Sequence, residues 1–323
     1  MKLATYSDGQ SQRVGVVRND DLVLDIAAAA EAHGYDDRPF LSMLDLIEAS
    51  DKGLDIVRAL EEGRDNEAFL KPVSSVRLLP PIPLPPQIRD FTVFSGHVVG
   101  APIGMRKLAA RLAGEPEPSL SPGGVPEVYA AQPIYYISNR FSVAGHDDVV
   151  VWPRYSQYMD FELEFAAILS RGGRNIRREE AHRYIFGYTI YNDFSARDAQ
   201  LKEMAGMLGP AKGKSFDGGN VFGPWIVTAD EIKDSRALRM EARVNGKVWA
   251  SGDSSGMLHS FEDMIEFVSR DETLHPGEIF GSGTMGGGCG LELNRYLSDG
   301  DVIELEVSGI GTLRNQVRIP SGS

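Results

Sequence analysis

Glu162 and Glu164, in the run MDFELEFAAIL (residues 159–169), put two carboxylates two positions apart. Phe161, Leu163, Phe165, Ala167 and Leu169 make an apolar row, and the other row carries the glutamates before turning apolar at Ala166 and Ile168. A period of two is the pattern of a strand. On a strand the carboxylates share one face about 7 Å apart, where like charges repel by roughly 2 kcal/mol at an effective dielectric near 20. Three arrangements relieve that repulsion: both face water on an edge strand, they work as an acid/base pair, or they share a hard cation such as Mg²⁺ or Ca²⁺, which takes oxygen ligands. A third carboxylate would favour the cation. GYTIYNDFSARDAQ (residues 187–200) supplies Asp193 at the end of an apolar run, with Arg197, Asp198 and Gln200 close behind.

Two other patterns suggest different chemistry and fit it poorly. GPAKGKS (Gly209–Ser215) looks like a phosphate loop but is one residue short between its glycines, and no helical pattern follows. GDSSG (Gly252–Gly256) fits a nucleophile elbow around Ser254, with Asp271 and His275 following in the order a serine hydrolase needs. No helix signal begins directly after Ser254, and a Gly/Ser-rich hairpin exit explains the run as well.

The elements that must position these groups are mostly strands. Residues 1–75 read as a small α+β unit, with short strands broken by Asp-Gly and Asn-Asp-Asp turns and then two amphipathic helices, FLSMLDLIEAS and LDIVRALEEG, the second stopped by Gly63. LLPPIPLPPQIRDF is a Pro-rich extended connector, and residues 76–323 form the second, larger domain. Within it, residues 101–132 combine a short helix, IGMRKLAARLAG, with a long loop of the kind that is functional, often as a lid, or disordered. From Val149 short strands recur. Asn245-Gly246 marks a hairpin, and SFEDMIEFVSR opens a helix with a Ser260–Asp263 capping pair. Strands without regular strand–helix alternation predict a β-rich α+β fold rather than a doubly wound sheet or a (β/α)8 barrel.

Composition narrows the class further. The 323 residues carry a formal charge of −13 with no basic stripe, which excludes an ordinary nucleic-acid binder. Cys289 is the single cysteine, so neither an intramolecular disulfide nor a cysteine-based zinc site is available. The N-terminus lacks an apolar signal core and no stretch has the apolar length of a membrane helix, so the expectation is a soluble, cytoplasmic protein without membrane or nucleic-acid partners.

Five motifs, MDFELEFAAI, GYTIYNDFSARDAQ, GKSFDGGNVFGPWIV, HPGEIFGSGT and DGDVIELEVSGIGTLRNQV, occur in order over roughly residues 80–320, and together they resemble the fumarylacetoacetate hydrolase family. The resemblance implies a mixed β-sandwich roll behind a small N-terminal domain, a homodimer, and one divalent cation, Mg²⁺ first and Mn²⁺ or Ca²⁺ as alternatives. It makes Glu162, Glu164 and Asp193 the ligands. Some members add an Asp near the domain start; Val93 aligns there, with Asp90 nearby but out of register, so three protein ligands are expected. The family's base is a His held by a Glu. His97 in FSGHVVG fits the His. Many relatives place the Glu three positions later, which is Gly100 here, whereas longer members take it from a late LEL segment, which supplies Glu292. Lys214 is implied as catalytic, a candidate oxyanion donor alongside Gln200. Tyr136, Arg197, Gln200 and Thr284 are implied as substrate contacts, Arg197 alternatively as a partner of the metal carboxylates.

The activity so implied is metal-dependent hydrolysis of a C–C bond in a 1,3-diketone acid of the acylpyruvate, fumarylpyruvate or fumarylacetoacetate type, in aromatic-compound or sugar-acid catabolism. The same site in other members decarboxylates, isomerises or hydrates 2-oxo acids, which the three carboxylates cannot distinguish. A binding module with a structural cation and a serine hydrolase using Ser254 are the readings from other classes.

Overall fold

The computed structural model describes residues 1–320. Two large β-sheets, a two-stranded ribbon and a helical layer make a β-rich α+β fold among the described residues. Among the described residues the larger sheet has 12 strands, with the order Leu70–Pro72, Leu22–Asp25, Gln12–Arg18, Lys2–Ser7, Asn220–Thr228, Ile185–Asp193, Leu163–Leu169, Ile279–Gly281, Ile88–Phe91, Tyr135–Ser138, and two short strands paired to its side. The N-terminal strands therefore continue the same sheet: Lys2 and Leu3 pair antiparallel with Val227 and Ile226. The smaller sheet has five strands, Lys247–Asp253, Arg239–Val244, Val302–Val307, Gly311–Arg318 and Val149–Val151.

The strand Leu163–Leu169 lies in the middle of the larger sheet and is buried throughout. Its alternation sends the two rows into different cores. Leu163, Phe165, Ala167 and Leu169 pack between the sheets with Met240, Leu305, Leu313 and the Phe261–Ser269 helix. Ala166 and Ile168 pack on the opposite face with Ile26, Ala30, Met43, Leu46 and Val57 of the N-terminal helices. Each such large side chain contributes about 1.5–3 kcal/mol by burial, so a one-residue slip, which would swap the rows, is strongly disfavoured. The strand's register thereby determines where Glu164 points.

Local signals match the backbone. Asn245 and Gly246 both have positive φ, as a tight hairpin turn requires, and Ser260 and Asp263 form a reciprocal capping box. The two helices expected within residues 40–63 run on as one element, Met43–Glu62, broken at Ser50, where the backbone leaves helical geometry. The helix expected from residue 103 instead spans Ser95–Ala113. Gly96, Gly100, Pro102 and Gly104 conceal its first half, since all are poor helix formers. No helix among the described residues is long and apolar enough to cross a membrane.

Candidate metal centre and acid–base dyad

The ladder between Leu163–Leu169 and Ile185–Asp193 pairs Glu164 with Tyr191 and Leu163 with Asn192, which leaves Glu162 beside Asp193. The strand expected over residues 159–169 is broken at Phe161–Glu162. Met159 and Asp160 leave the large sheet to pair with Ala196 and Ser195, and the Glu162 amide donates to Asn192 Oδ1 at 3.0 Å. Both glutamates are buried, Glu164 completely, so the wet edge strand is not what forms.

Asp90 joins them. Ligand oxygens of Asp90, Glu162, Glu164 and Asp193 all lie within 4.8 Å of one another. This corrects the expectation that Asp90 is out of register. Ile88–Phe91 runs parallel to Ile279–Gly281 with Asp90 opposite Gly281, and Gly281 in turn faces Ala166. A Cβ at Gly281 would lie 2.5 Å from Asp90 Oδ1 and 2.9 Å from Tyr191 Cε1. The bare glycine thus leaves the hollow through which Asp90 reaches Glu164. That contact depends on a parallel pairing between residues almost 200 positions apart, which motif alignment does not register. Val93, the aligned position, is in the apolar core.

Two cations face these acids. The Lys214 ammonium lies 2.6 Å from Glu162 and 2.5 Å from Asp193. Arg197 is 1% exposed, with Nε donating to Asp160 at 2.8 Å and Nη2 ion-paired to Glu162 at 2.7 Å. Its Nη1 donates to Gln200 Oε1 at 2.9 Å, so the guanidinium is engaged inside the chain. Tyr136, opposite Asp90 on the edge strand, donates its hydroxyl to Asp193 at 2.5 Å. Thr284 donates to Glu164 at 3.3 Å.

Burial raises the pKa values of Asp90, Glu164 and Asp193, and neighbouring carboxylates raise them further, with Lys214 offsetting only part of this at Asp90 and Asp193. Glu162 goes the other way: burial pushes it up, but Lys214, Arg197 and His97 outweigh burial and hold it below the ordinary range. Among the described residues, Asp90 Oδ1, Glu164 Oε2 and Asp193 Oδ1 are buried with no hydrogen-bond donor. Orphaned acceptors of this kind are rare and costly, and three of them converging with Glu162 are the donor set a hard divalent cation takes. The residues fit such an ion.

His97 lies in the first turn of the Ser95–Ala113 helix, with Nδ1 3.0 Å from Glu292 Oε2. Glu292 also accepts from the Gly287 amide at 3.1 Å and the Cys289 thiol at 3.3 Å. Burial raises the Glu292 pKa, but the His97 charge and these hydrogen bonds lower it below the usual range. Three glycines at four-residue spacing make this meeting possible. A Cβ at Gly96 would lie 2.9 Å from Gly286 Cα, one at Gly100 2.5 Å from Glu292 Oε1, and one at Gly104 2.5 Å from the Leu291 carbonyl. Gly100, where many relatives carry the Glu, is here the space that the Glu292 carboxylate fills. The spacing G-x-x-x-G-x-x-x-G was the available signal for this face.

The two competing motifs have structural occupations. Ser254 Oγ accepts the Leu238 amide at 2.9 Å, and no histidine hydrogen-bonds it among the described residues. In the Gly209–Ser215 loop the amides that resemble a phosphate cradle donate to Glu203.

Residues 119–318 match the family described as fumarylacetoacetate (FAA) hydrolase C-terminal. The chain is 30% identical over 324 residues, 98% of its length and 100% of the relative's, to oxaloacetate tautomerase YisK of Bacillus subtilis. Among solved structures it superposes on fumarylacetoacetate hydrolase from psychrophilic Exiguobacterium antarcticum with a TM-score of 0.73, 28% identity, and coverage of 99% of this chain and 100% of that one. Maleylpyruvate hydrolase from Sphingobium sp. SYK-6, solved with manganese(II) ion and pyruvate, gives a TM-score of 0.71, 25% identity and the same coverage.

Proposed function

The chain belongs to the fumarylacetoacetate hydrolase family, and from that premise we propose that it is a divalent-cation-dependent tautomerase that interconverts the keto and enol forms of a 2-oxo acid of the oxaloacetate type. The observation that carries this reading is the end-to-end similarity to a protein named for that reaction. It favours the isomerisation alternative over the C–C hydrolysis first expected from the motifs.

Asp90, Glu162, Glu164 and Asp193 would hold the cation, with Lys214 and Arg197 keeping Glu162 ionised. The ion would supply Lewis-acid polarisation of the substrate's 2-oxo group, acidifying the adjacent carbon. Glu292 fixes the proton of His97 on Nδ1, leaving the Nε2 lone pair to take a proton from that carbon and return one to the oxygen. Tautomerisation needs this proton transfer and no attacking water. Gln200 receives Arg197 on its oxygen, and its amide nitrogen would serve as a donor for a substrate oxygen. Arg197, Thr284 and Tyr136 serve by orienting the carboxylates they bind.

The test is the decay of enol-oxaloacetate absorbance with Mg²⁺ or Mn²⁺ added, beside pyruvate formation and the cleavage of acylpyruvates. Accelerated decay without pyruvate, abolished by Glu164→Gln, is expected. Cleavage of acylpyruvates into two acids without acceleration of the enol decay would reject the tautomerase in favour of the hydrolase. That second reading is supported by the likeness to fumarylacetoacetate hydrolase; it would use the same His97 to take a proton from water.

A further inference from the structure

Lys214 reaches Glu162 and Asp193 from the loop Gly209–Ser215, which has no regular secondary structure to hold it. Its carbonyls are tied by the Ala196 amide, which donates to Gly213 at 2.8 Å, and by the Tyr155 hydroxyl, which donates to Lys212 at 2.5 Å, and its amides are gathered by one carboxylate. Glu203, near the end of the Arg197–Met204 helix, accepts the Ala211 amide at 2.8 Å and the Gly213 amide at 2.8 Å on Oε1, and the Lys212 amide at 2.7 Å on Oε2. Three consecutive amides converging on one acid form an anion nest, and here the anion belongs to the chain. Gly213 permits the approach, since a Cβ there would lie 2.7 Å from Gln200 Cβ and 2.9 Å from Glu203 Oε1. Lys214 is the next residue. Arg197 opens the same helix and pairs with Glu162 directly, so both cations beside Glu162 are set by one helix, the second through Glu203.

We propose that Glu203 is a positioning residue whose carboxylate, gripped by the amides of Ala211, Lys212 and Gly213, sets the Lys214 ammonium between Glu162 and Asp193. Its catalytic consequence rests on the function proposed above; its positional claim does not.

The direct readout is protection of Lys214 from an amine-acylating reagent, mapped by peptide mass spectrometry on the full chain. Glu203→Ala should raise Lys214 labelling about tenfold or more, because the ammonium loses its fixed place, and added formate, which fits the vacated nest, should restore protection. Glu203→Gln, of equal size but with an N–H group facing the amides, should raise labelling without unfolding the chain. Unchanged labelling in both variants would overturn the proposal, and so would labelling that rises but ignores formate, since that marks general loosening. In the activity assay Glu203→Ala should lower turnover about tenfold, and in a Lys214→Ala background it should cost nothing further. An equal loss in that background would show that Glu203 does not act through Lys214. Full turnover in Lys214→Ala alone would overturn the catalytic consequence, while the labelling result would still decide the positional claim.

Discussion

Asp160 and Glu164 stand four residues apart, and both are fully buried. Burial raises the pKa of each. Their hydrogen bonds separate them. Asp160 accepts the amides of Phe161 and Gly290 on Oδ1, and the Leu291 amide and Arg197 Nε on Oδ2, all at 2.7–2.9 Å. Among the described residues Glu164 accepts from the Thr284 hydroxyl at 3.3 Å and otherwise meets the Asp90 carboxyl, an acid like itself. Asp160 uses its acceptors to tie the Gly290–Leu293 turn, and with it Glu292, to the helix that begins at Arg197. Glu164 is left short of donors among the described residues. In the proposed reading these two buried acids of similar environment are a brace and a candidate ligand, and the count of donors, not burial or pKa, tells them apart.

The largest effect should come from breaking the brace. Asp160→Asn leaves Arg197 half-compensated and turns an N–H group toward backbone amides, which costs about 3–5 kcal/mol in urea unfolding. Glu164→Gln, measured with chelator present, should cost far less, because Glu164 faces other acids and one hydroxyl rather than a cation or backbone amides. Equal losses for the two variants would erase the distinction.

His97→Ala should reduce kcat by about 10²-fold or more while leaving cation affinity, measured by calorimetry, close to that of the unaltered protein. This separates the dyad from the carboxylates. Near-normal kcat would remove His97 as the base, and a parallel loss of cation affinity would merge the two sites into one.

Added Mg²⁺, Mn²⁺ or Ca²⁺ at about thirty times its Kd should stabilise the chain by ~2 kcal/mol, and Glu164→Gln should abolish the gain. A melting temperature indifferent to all three ions would make Glu164 a second, poorly satisfied brace.

Much of this contrast is legible in the residues and some is not. The E-x-E spacing puts Glu162 and Glu164 on one face, and the apolar row opposite holds that face in register. Which acid is satisfied cannot be read from spacing, because two of the four donors to Asp160 come from Gly290 and Leu291, about 130 residues away. Asp90 was misread for the same reason, its place resting on a parallel pairing and a bare Gly281. The pairing of His97 with Glu292 came from motif likeness; the physical cause, the glycine face at residues 96, 100 and 104, lay inside a helix whose first half those same glycines obscure.

The smallest effect is on pH dependence. Asp90, Glu164 and Asp193 have folded pKa values above their ordinary 3.8 and 4.5, so in chelator the folded chain keeps protons that the unfolded chain loses. Their contribution is complete below about pH 3.8 and is lost as pH rises through the raised values, by at most about 1.4 kcal/mol per pH unit for each proton held in excess. Glu162, lowered by Lys214 and Arg197 against burial, acts oppositely: its contribution is present above 4.5 and is lost as pH falls through its lowered value. Asp160 is also raised, but the chain satisfies it whether or not an ion binds, so its slope is common to both conditions. Saturating cation replaces the excess protons of Asp90, Glu164 and Asp193, and the decline above pH 4.5 should then flatten to the part set by groups the ion does not touch, such as Asp160 and Glu278, both raised by burial, and His146, lowered by burial and of opposite slope. Unfolding curves between pH 4.5 and 8, with chelator and with Mn²⁺, measure that difference. Identical slopes would mean that the orphaned oxygens exchange no protons for the ion, and the cluster would have to be read as a set of braces like Asp160.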